Sequence, residues 1–162
     1  MLYFLLAAAL VVVDQLVKFL VRANIPLYTS LPFIPRLMDL TYVQNTGAAF
    51  SLFSQHTWVL TAISAVVSIL LAVGLAKGVL SHRAGKLCLA AVLGGAVGNL
   101  IDRAAFGFVT DMFKTTFMNF AVFNVADICV VLGGIALCIY VIFFYEKLEN
   151  KEEPHGDFPA DG

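Results

Sequence analysis

Four stretches of the chain are each long and apolar enough to cross a lipid bilayer: residues 2–21, 58–76, 87–106 and 122–145. A spanning helix needs about 20 mostly apolar residues, because its backbone must satisfy its own hydrogen bonds across about 30 Å of hydrocarbon. The 162 residues are 60% hydrophobic and only 13% charged, a balance that a soluble domain could not bury. The sequence therefore predicts an all-α membrane protein of four transmembrane helices.

The connections between the predicted helices differ in length and charge. The first, about residues 22–57, includes an alternating segment at residues 40–43 that predicts a small β element in an extracytoplasmic surface loop. The third covers about residues 107–121, whereas the second is short and basic. Because Lys and Arg are enriched in cytoplasmic loops, the second connection and both termini are predicted to be cytoplasmic. The residues compared are Lys77, His82, Arg83 and Lys86 in the short connection, against Arg22, Arg36 and Lys114 in the other two.

A single transmembrane domain is predicted over residues 1–145. The apolar residues 2–13 are interpreted as part of an uncleaved helix, because no Lys or Arg precedes them and Asp14, Gln15 and Lys18 follow. Residues 146–162 are rich in Glu, Lys, Pro, Gly and Asp, which predicts a disordered cytoplasmic tail.

Ionisable residues occur at membrane depth in three of the predicted helices. Each such group costs about 2.5 to 3.5 kcal/mol at mid-bilayer, so five unpaired groups would cost on the order of 15 kcal/mol. They must therefore be paired, neutral or close to an interface, and they are expected to face the bundle interior. The five are Asp14, Lys18, Asp102, Arg103 and Asp127.

The spacing of Asp14 and Lys18, at i and i+4, places them on one face of a helix. Two interpretations of this pair remain open. It belongs to a functional site, or it only locks helices together, as interhelical polar contacts do in membranes.

Asp111 and Asp127 form a second candidate pair. Asp111 lies in the predicted turn region after the third helix, and Asp127 lies one to two turns into the fourth helix from the same surface. A short re-entry of the chain would bring the two carboxylates together, and carboxylates a few ångströms apart share a proton. One can then act as base toward a water that attacks a carbonyl, while the other acts as acid, which is aspartyl protease chemistry.

Other classes of site fit the sequence less well. A serine protease in a membrane needs a His at depth, but His56, His82 and His155 all fall in predicted loops or the tail. A zinc protease needs His-Glu-x-x-His on a helix, and the sequence lacks that motif. The near-neutral charge and the absence of a basic, aromatic patch exclude a nucleic-acid partner.

Two functions from other classes remain as alternatives. Buried charged residues also mark ion pathways, so a small transporter or channel subunit would explain Asp14 and Lys18. It would not explain two Asp residues at one interface beside Asn99 and Asn124. A non-catalytic assembly protein would keep its function after the loss of either carboxylate.

Small residues and aromatic residues complete the pattern. Glycines within residues 94–98 and 133–134 predict close helix packing. The long first loop is expected to form either a platform or lid over an apolar groove or a simple interfacial anchor. Its aromatic residues include Phe33, Tyr42, Phe50 and Phe53.

Five polar motifs occur in order along nearly the whole chain. They are Asp14-Gln15-Leu16-Val17-Lys18, Asn45-Thr46-Gly47-Ala48-Ala49-Phe50-Ser51, Gly98-Asn99-Leu100-Ile101-Asp102-Arg103, Val109-Thr110-Asp111 and Phe123-Asn124-Val125-Ala126-Asp127. In order, spacing and four-helix setting, they resemble the motifs of the bacterial lipoprotein signal peptidase (signal peptidase II) family.

The resemblance implies an aspartyl endopeptidase of the bacterial cytoplasmic membrane. Such an enzyme removes the signal peptide from a diacylglyceryl-modified prolipoprotein by cutting before the lipidated cysteine. The implied catalytic dyad is Asp111 and Asp127, near the extracytoplasmic face. The implied partners are lipidated prolipoprotein signal peptides, membrane lipid and globomycin-type cyclic peptide inhibitors, with no metal or organic cofactor and a monomeric chain.

The resemblance also implies a set of residues that shape the site or contact substrate or inhibitor. One departure from the family pattern is visible at Thr110, where a branched apolar residue is common, and another at Met112, where Phe is common. Neither changes the carboxylate between them, so the expected reaction is unaffected. The supporting set is Asp14, Lys18, Asn45, Gly47, Asn99, Asp102, Arg103 and Asn124.

Overall fold

The computed structural model describes residues 1–47 and 57–149 of the chain. Four of its helices are long and apolar enough to cross a membrane, which confirms the predicted fold class. They are α1 (Leu2–Asn24), α2 (Thr57–Lys77), α3 (Arg83–Phe106) and α4 (Val125–Phe143).

The sequence also made predictions about the C-terminal tail and about the first loop. A short helix, α5 (Tyr145–Glu149), follows α4, whereas the sequence predicted disorder from Glu146 onward. The rest of the predicted tail, residues 150–162, lies outside the described residues. The same holds for residues 48–56, which include Phe50 and Phe53 of the proposed platform.

Three antiparallel strands form a small sheet in the order β1-β2-β3, namely β1 (Ser30–Ile34), β2 (Met38–Asn45) and β3 (Val109–Thr115). The predicted β element at residues 40–43 lies within β2. The sequence analysis placed Asp111 in a turn region, and this was wrong. Asp111 lies in β3, where it pairs with Val43 of β2. The sheet follows the end of α1 and of α3, so it lies at the end of the bundle where α4 begins.

Helix α3 is central, since it packs against α1, α2 and α4. Its glycines allow this, because a Cβ on Gly94 would lie 3.0 Å from a backbone oxygen of α1. A Cβ on Gly95 would collide with the carbonyl oxygen of Ala126 in α4. The predicted close helix packing is confirmed at Gly94, Gly95 and Gly133. It is wrong for Gly134, because a Cβ there meets nothing within 4 Å.

Polar side chains occupy the interior of the bundle. The largest fully buried side chains include Lys18, Asp14, Asp102, Asn124 and Asp111. Large apolar side chains, in contrast, are exposed along α1, α2 and α4. This distribution suits a protein whose solvent is hydrocarbon, because lipid covers the apolar surface and only the interior can pair the charges.

The sheet is attached to α1 through an apolar cluster formed by Val21, Ile25 and Met112. Tyr42 is partly buried and packs against this cluster. Phe33 of β1 is exposed.

Candidate active site

The ion pair predicted between Asp14 and Lys18 is present, with 2.9 Å between the Lys18 Nζ and an Asp14 Oδ2. The same ammonium lies 3.3 Å from Asp102 of α3, and all three side chains are at most 1% exposed. Gln15 also joins the helices, since its Nε2 donates to Asp102 Oδ1 at 3.1 Å. Lys18 is thus shared between two carboxylates on different helices.

Arg22 belongs to the same network, although the sequence analysis counted it only as a loop cation. Its Nη1 donates to the Thr110 hydroxyl at 2.9 Å and lies 3.6 Å from Asp102 Oδ1. Its guanidinium also lies over the Phe106 ring, 4.7 Å from the centroid. The signal was present in the sequence, because Arg22 follows Lys18 by four residues on the same helix face.

Asp14 and Asp102 hold the backbone of the elements that carry the candidate dyad. Asp14 Oδ1 accepts the N–H of Ala126 in the first turn of α4 at 2.8 Å, and Asp102 Oδ2 accepts the N–H of Thr110 in β3 at 2.9 Å. Gly98 leaves room for this arrangement, since a Cβ there would lie 2.7 Å from Asp14. Both carboxylates therefore hold backbone beside the candidate dyad, because Ala126 directly precedes Asp127 and Thr110 directly precedes Asp111.

Asp127 lies in the first turn of α4, where Asn124 is the N-cap residue. The Asn124 side chain accepts the Asp127 N–H at 2.9 Å, and Asp127 Oδ2 accepts the Asn124 N–H at 3.2 Å, which forms a capping box. Asp127 Oδ1 accepts a second hydrogen bond, 2.7 Å long, from the Asn99 side chain of α3. The positive end of the helix dipole also favours a carboxylate at this position.

Asp111 lies in β3 and is 2% exposed. Asn45 of β2 donates to its Oδ2 at 2.9 Å, and Asn124 donates to its Oδ1 at 2.7 Å. Burial, and after it the nearby charge of Asp127, raise the pKa of Asp111 to about 6, although both amide hydrogen bonds act in the opposite direction. Gly47 contributes indirectly, because its N–H fixes Asn45 Oδ1 at 2.9 Å.

The two carboxylates line one cavity of about 410 Å³. One wall of the cavity is formed by apolar residues of α4. Two of them, Val131 and Leu132, are 55% and 61% exposed. The cavity is therefore bounded by side chains that also face the lipid. The remaining polar residues of its lining are Asn45, Asn99 and Arg103.

Arg103 brings a positive charge to this cavity. Its Nη1 reaches the Ser64 hydroxyl of α2 at 3.4 Å, but its buried Nε has no hydrogen-bond partner among the described residues. A guanidinium with an unused donor beside two carboxylates is suited to bind a carbonyl oxygen. Within residues 1–47 and 57–149, no group of three or more His, Cys, Asp or Glu residues is arranged to hold a metal ion.

The sequence model of the family described as Signal peptidase (SPase) II matches residues 6–143. The chain belongs to this family. The resemblance found in the five motifs is thereby confirmed, and family membership identifies the protein as a bacterial membrane protease of the aspartic type. It also decides against the transporter and the assembly protein considered above.

Relatives of the signal peptidase II family match nearly the whole chain. The lipoprotein signal peptidase of Enterococcus faecalis is 41% identical over 154 residues, which are 95% of this chain and 94% of that protein. That of Clostridioides difficile is 41% identical over 149 residues, covering 91% and 99% of the two chains. A solved bacterial membrane enzyme superposes with a TM-score of 0.82 at 27% identity, covering 93% of this chain and 92% of the other.

Proposed function

We propose that this protein is the endopeptidase that removes signal peptides from prolipoproteins, with Asp111 and Asp127 as its catalytic dyad. The observation that carries the proposal is that both carboxylates line one cavity. They are also joined by amides, since Asn124 donates to Asp111 while Asn99, in contact with Asn124, donates to Asp127. One acid, one base and a cavity large enough for a peptide are the components of aspartyl proteolysis.

The two ends of the cavity support the substrate class that the family resemblance implies. Its apolar wall on α4 borders the lipid, and its polar end is formed by β2, β3 and the first turn of α4. A prolipoprotein stays in the membrane through its apolar signal helix and its acyl chains. The proposed cleavage lies directly before a cysteine that carries a diacylglyceryl group. The acyl chains of this group remain in the membrane while the scissile peptide bond reaches the two carboxylates.

The supporting residues then have two proposed roles. Arg103 and Asn45, which line the cavity, contact the substrate backbone, and globomycin-type inhibitors occupy the same place. Lys18, Asp14 and Asp102 hold the elements around the dyad without reaching the substrate. The proposed enzyme needs no metal or organic cofactor and acts as a monomer. The monomer is supported by the fact that Asp111 and Asp127 of one chain line the same cavity.

The proposed orientation places the sheet and the cavity on the extracytoplasmic side and both termini in the cytoplasm. Basic residues support this orientation, because Lys77, Arg83 and Lys86 lie at the opposite end of the bundle from the sheet. In this orientation the cavity lies near the extracytoplasmic face of the membrane, as the family resemblance implies.

The first prediction concerns the two carboxylates. Asp111→Asn and Asp127→Asn each remove an acid or base while keeping the shape of the side chain, so each is expected to lower cleavage by at least about 100-fold. The measurement is cleavage of a purified prolipoprotein, with and without its diacylglyceryl group, by protein in lipid or detergent. Only the lipidated form is expected to be cut by the unchanged protein.

Asp39→Asn is the matched control, because Asp39 lies in β2 but does not line the cavity that holds the dyad. It is expected to cleave at nearly the normal rate, and thermal unfolding of all three variants checks that they fold. Full activity in either Asp111→Asn or Asp127→Asn would contradict the proposed dyad. Equal cleavage of the unlipidated precursor would contradict the proposed substrate.

A further inference from the structure

The orientation of the Asn124 side-chain amide is fixed by the backbone N–H of Asp127, which can only donate a hydrogen bond. Its Oδ1 accepts the backbone N–H of Asp127, so its Nδ2 must be the group that faces the other side chains. That Nδ2 lies 2.7 Å from Asp111 Oδ1 and 3.2 Å from Asn99 Oδ1.

The Asn99 amide is fixed in the same way by Lys18. An ammonium has three donors and no acceptor, so the Asn99 atom 3.0 Å from the Lys18 Nζ must be its oxygen. The Asn99 Nδ2 is therefore committed to Asp127 Oδ1, 2.7 Å away. A positive charge on Lys18 polarises this amide and strengthens its donor, because hydrogen bonds in a chain reinforce one another at low dielectric.

The two carboxylates differ in what surrounds them, although each accepts two hydrogen bonds from the residues that the structure describes. Asp127 lies at the N-terminus of a long helix, accepts a backbone N–H and is partly open to the cavity. Asp111 lies in a strand that has no comparable dipole, and it is almost completely buried. Burial without a helix dipole favours the neutral acid, whereas the helix terminus favours the carboxylate.

We propose that Lys18, acting through the Asn99 amide, is a positioning residue that keeps Asp127 as the carboxylate and base, so that Asp111 carries the shared proton and is the acid. This inference rests on the proposed function, and it assigns a role to each member of the dyad. It also gives the deeply buried Lys18 a role beyond the pairing of charges.

The reaction then proceeds in two balanced steps. The oxygen of a water forms a bond to the scissile carbonyl carbon as Asp127 takes one proton of the water and Asp111 gives its proton to the carbonyl oxygen. In the second step the C–N bond breaks as Asp127 passes its proton to the leaving nitrogen. One hydroxyl of the tetrahedral carbon returns a proton to Asp111 as the C=O bond forms again.

The other charges near the dyad are arranged in agreement with these roles. Asp14 and Asp102 pair with Lys18 itself, Arg22 lies beside Asp102 toward β3, and Arg103 lines the cavity. Lys18 also lowers the pKa of Asp111, but this is the smallest of the five influences on that carboxyl, and burial is the largest.

Infrared difference spectroscopy tests the location of the proton without measuring activity. Spectra taken between about pH 5 and about pH 8 should show a protonated carboxyl band that titrates near the Asp111 pKa of about 6. The band should be absent from Asp111→Asn. It should remain in Asp127→Asn with a lower midpoint, because loss of the neighbouring negative charge lowers the pKa of Asp111.

Kinetics test the role of Lys18. Lys18→Met and Asn99→Leu are each expected to lower kcat most strongly on the low-pH limb of its profile, because both break the chain of hydrogen bonds that runs from Lys18 through Asn99 to Asp127. The effect of Lys18→Met should be smaller in the Asn99→Leu background, since the residues act in series. A merely structural role would lower kcat equally at every pH.

If Lys18→Met does not fold, Asn99→Leu still carries the test, because it leaves Lys18 with both of its carboxylate partners. A protonated band that belongs to Asp127, or an unmoved low-pH limb in Asn99→Leu, would overturn the inference. Neither result would affect the proposed function, which fails only if the dyad variants continue to cleave the precursor.

Discussion

Asn124 connects the helix that carries Asp127 to the strand that carries Asp111. Its side chain caps α4 and donates to Asp111 and to Asn99, and it is completely buried. An amide is suited to this position because it offers an acceptor and two donors without adding a charge beside two carboxylates. A single neutral side chain thus sets the relative position of the acid and the base.

Asn45 supports a prediction about pH. Its hydrogen bond favours the ionised form of Asp111 and so lowers the pKa of that carboxyl. If Asp111 is the acid, activity should fall as pH rises through about 6. Asn45→Ala removes the hydrogen bond and raises this pKa, so the falling limb should move upward by about one pH unit.

The matched control is Gln44→Ala. The Gln44 amide donates to the Tyr42 hydroxyl instead of Asp111, so the falling limb should stay in place. The measurement is kcat across the pH range with saturating lipidated precursor. A falling limb that moves to lower pH in Asn45→Ala would contradict the assignment of Asp111 as the proton donor.

At the level of elements, strand β3 replaces the turn that the sequence predicted around Asp111. Local sequence identified the pair of Asp14 and Lys18, because both lie on one helix. It could not identify β3, because the partner of that strand is β2, which lies before the second helix in sequence. The five motifs placed Asp111 in the site, but its burial and its bond to Asn45 depend on that distant pairing.

The contact between α3 and α4 gives a prediction about packing. Gly95→Ala would place a methyl group against the Ala126 carbonyl oxygen and 2.8 Å from Val130 Cγ2, and a backbone atom cannot move aside as a side chain can. The expected cost is about 1–3 kcal/mol of stability. Cleavage should fall as well, because the two helices carry Asn99 and Asp127.

Gly134→Ala is the control for this substitution, since it makes the same change in a spanning helix. A Cβ at Gly134 meets nothing within 4 Å, so the variant should unfold at or slightly above the normal temperature. Thermal unfolding in detergent compares the two variants. An equal loss of stability in both variants would show that the close approach of α3 and α4 at Gly95 does not decide the result.

For the whole molecule, pairing of charge explains how so many ionisable residues remain inside a membrane protein. Asp14, Lys18, Arg22 and Asp102 form a network with two charges of each sign. A dyad that shares one proton would carry a single negative charge beside Arg103. The interior is then close to neutral overall, which reduces the cost of burying each group.

The proposed orientation leads to the last prediction. In a chain whose cysteines at positions 88, 129 and 138 are replaced by Ser, Thr116→Cys adds a thiol just after β3 and Ser81→Cys adds one between α2 and α3. A membrane-impermeant maleimide should label Thr116→Cys in intact cells and Ser81→Cys only after permeabilisation. The opposite result would invert the proposed topology.

The bond between Asp14 of α1 and the Ala126 N–H of α4 links the first spanning helix to the last. A ribosome makes α1 long before α4, and α4 also carries Asp127 and its cap. While synthesis continues, Asp14 can pair with Lys18 on its own helix. The nascent chain therefore cannot assemble the proposed dyad until its fourth helix is inserted.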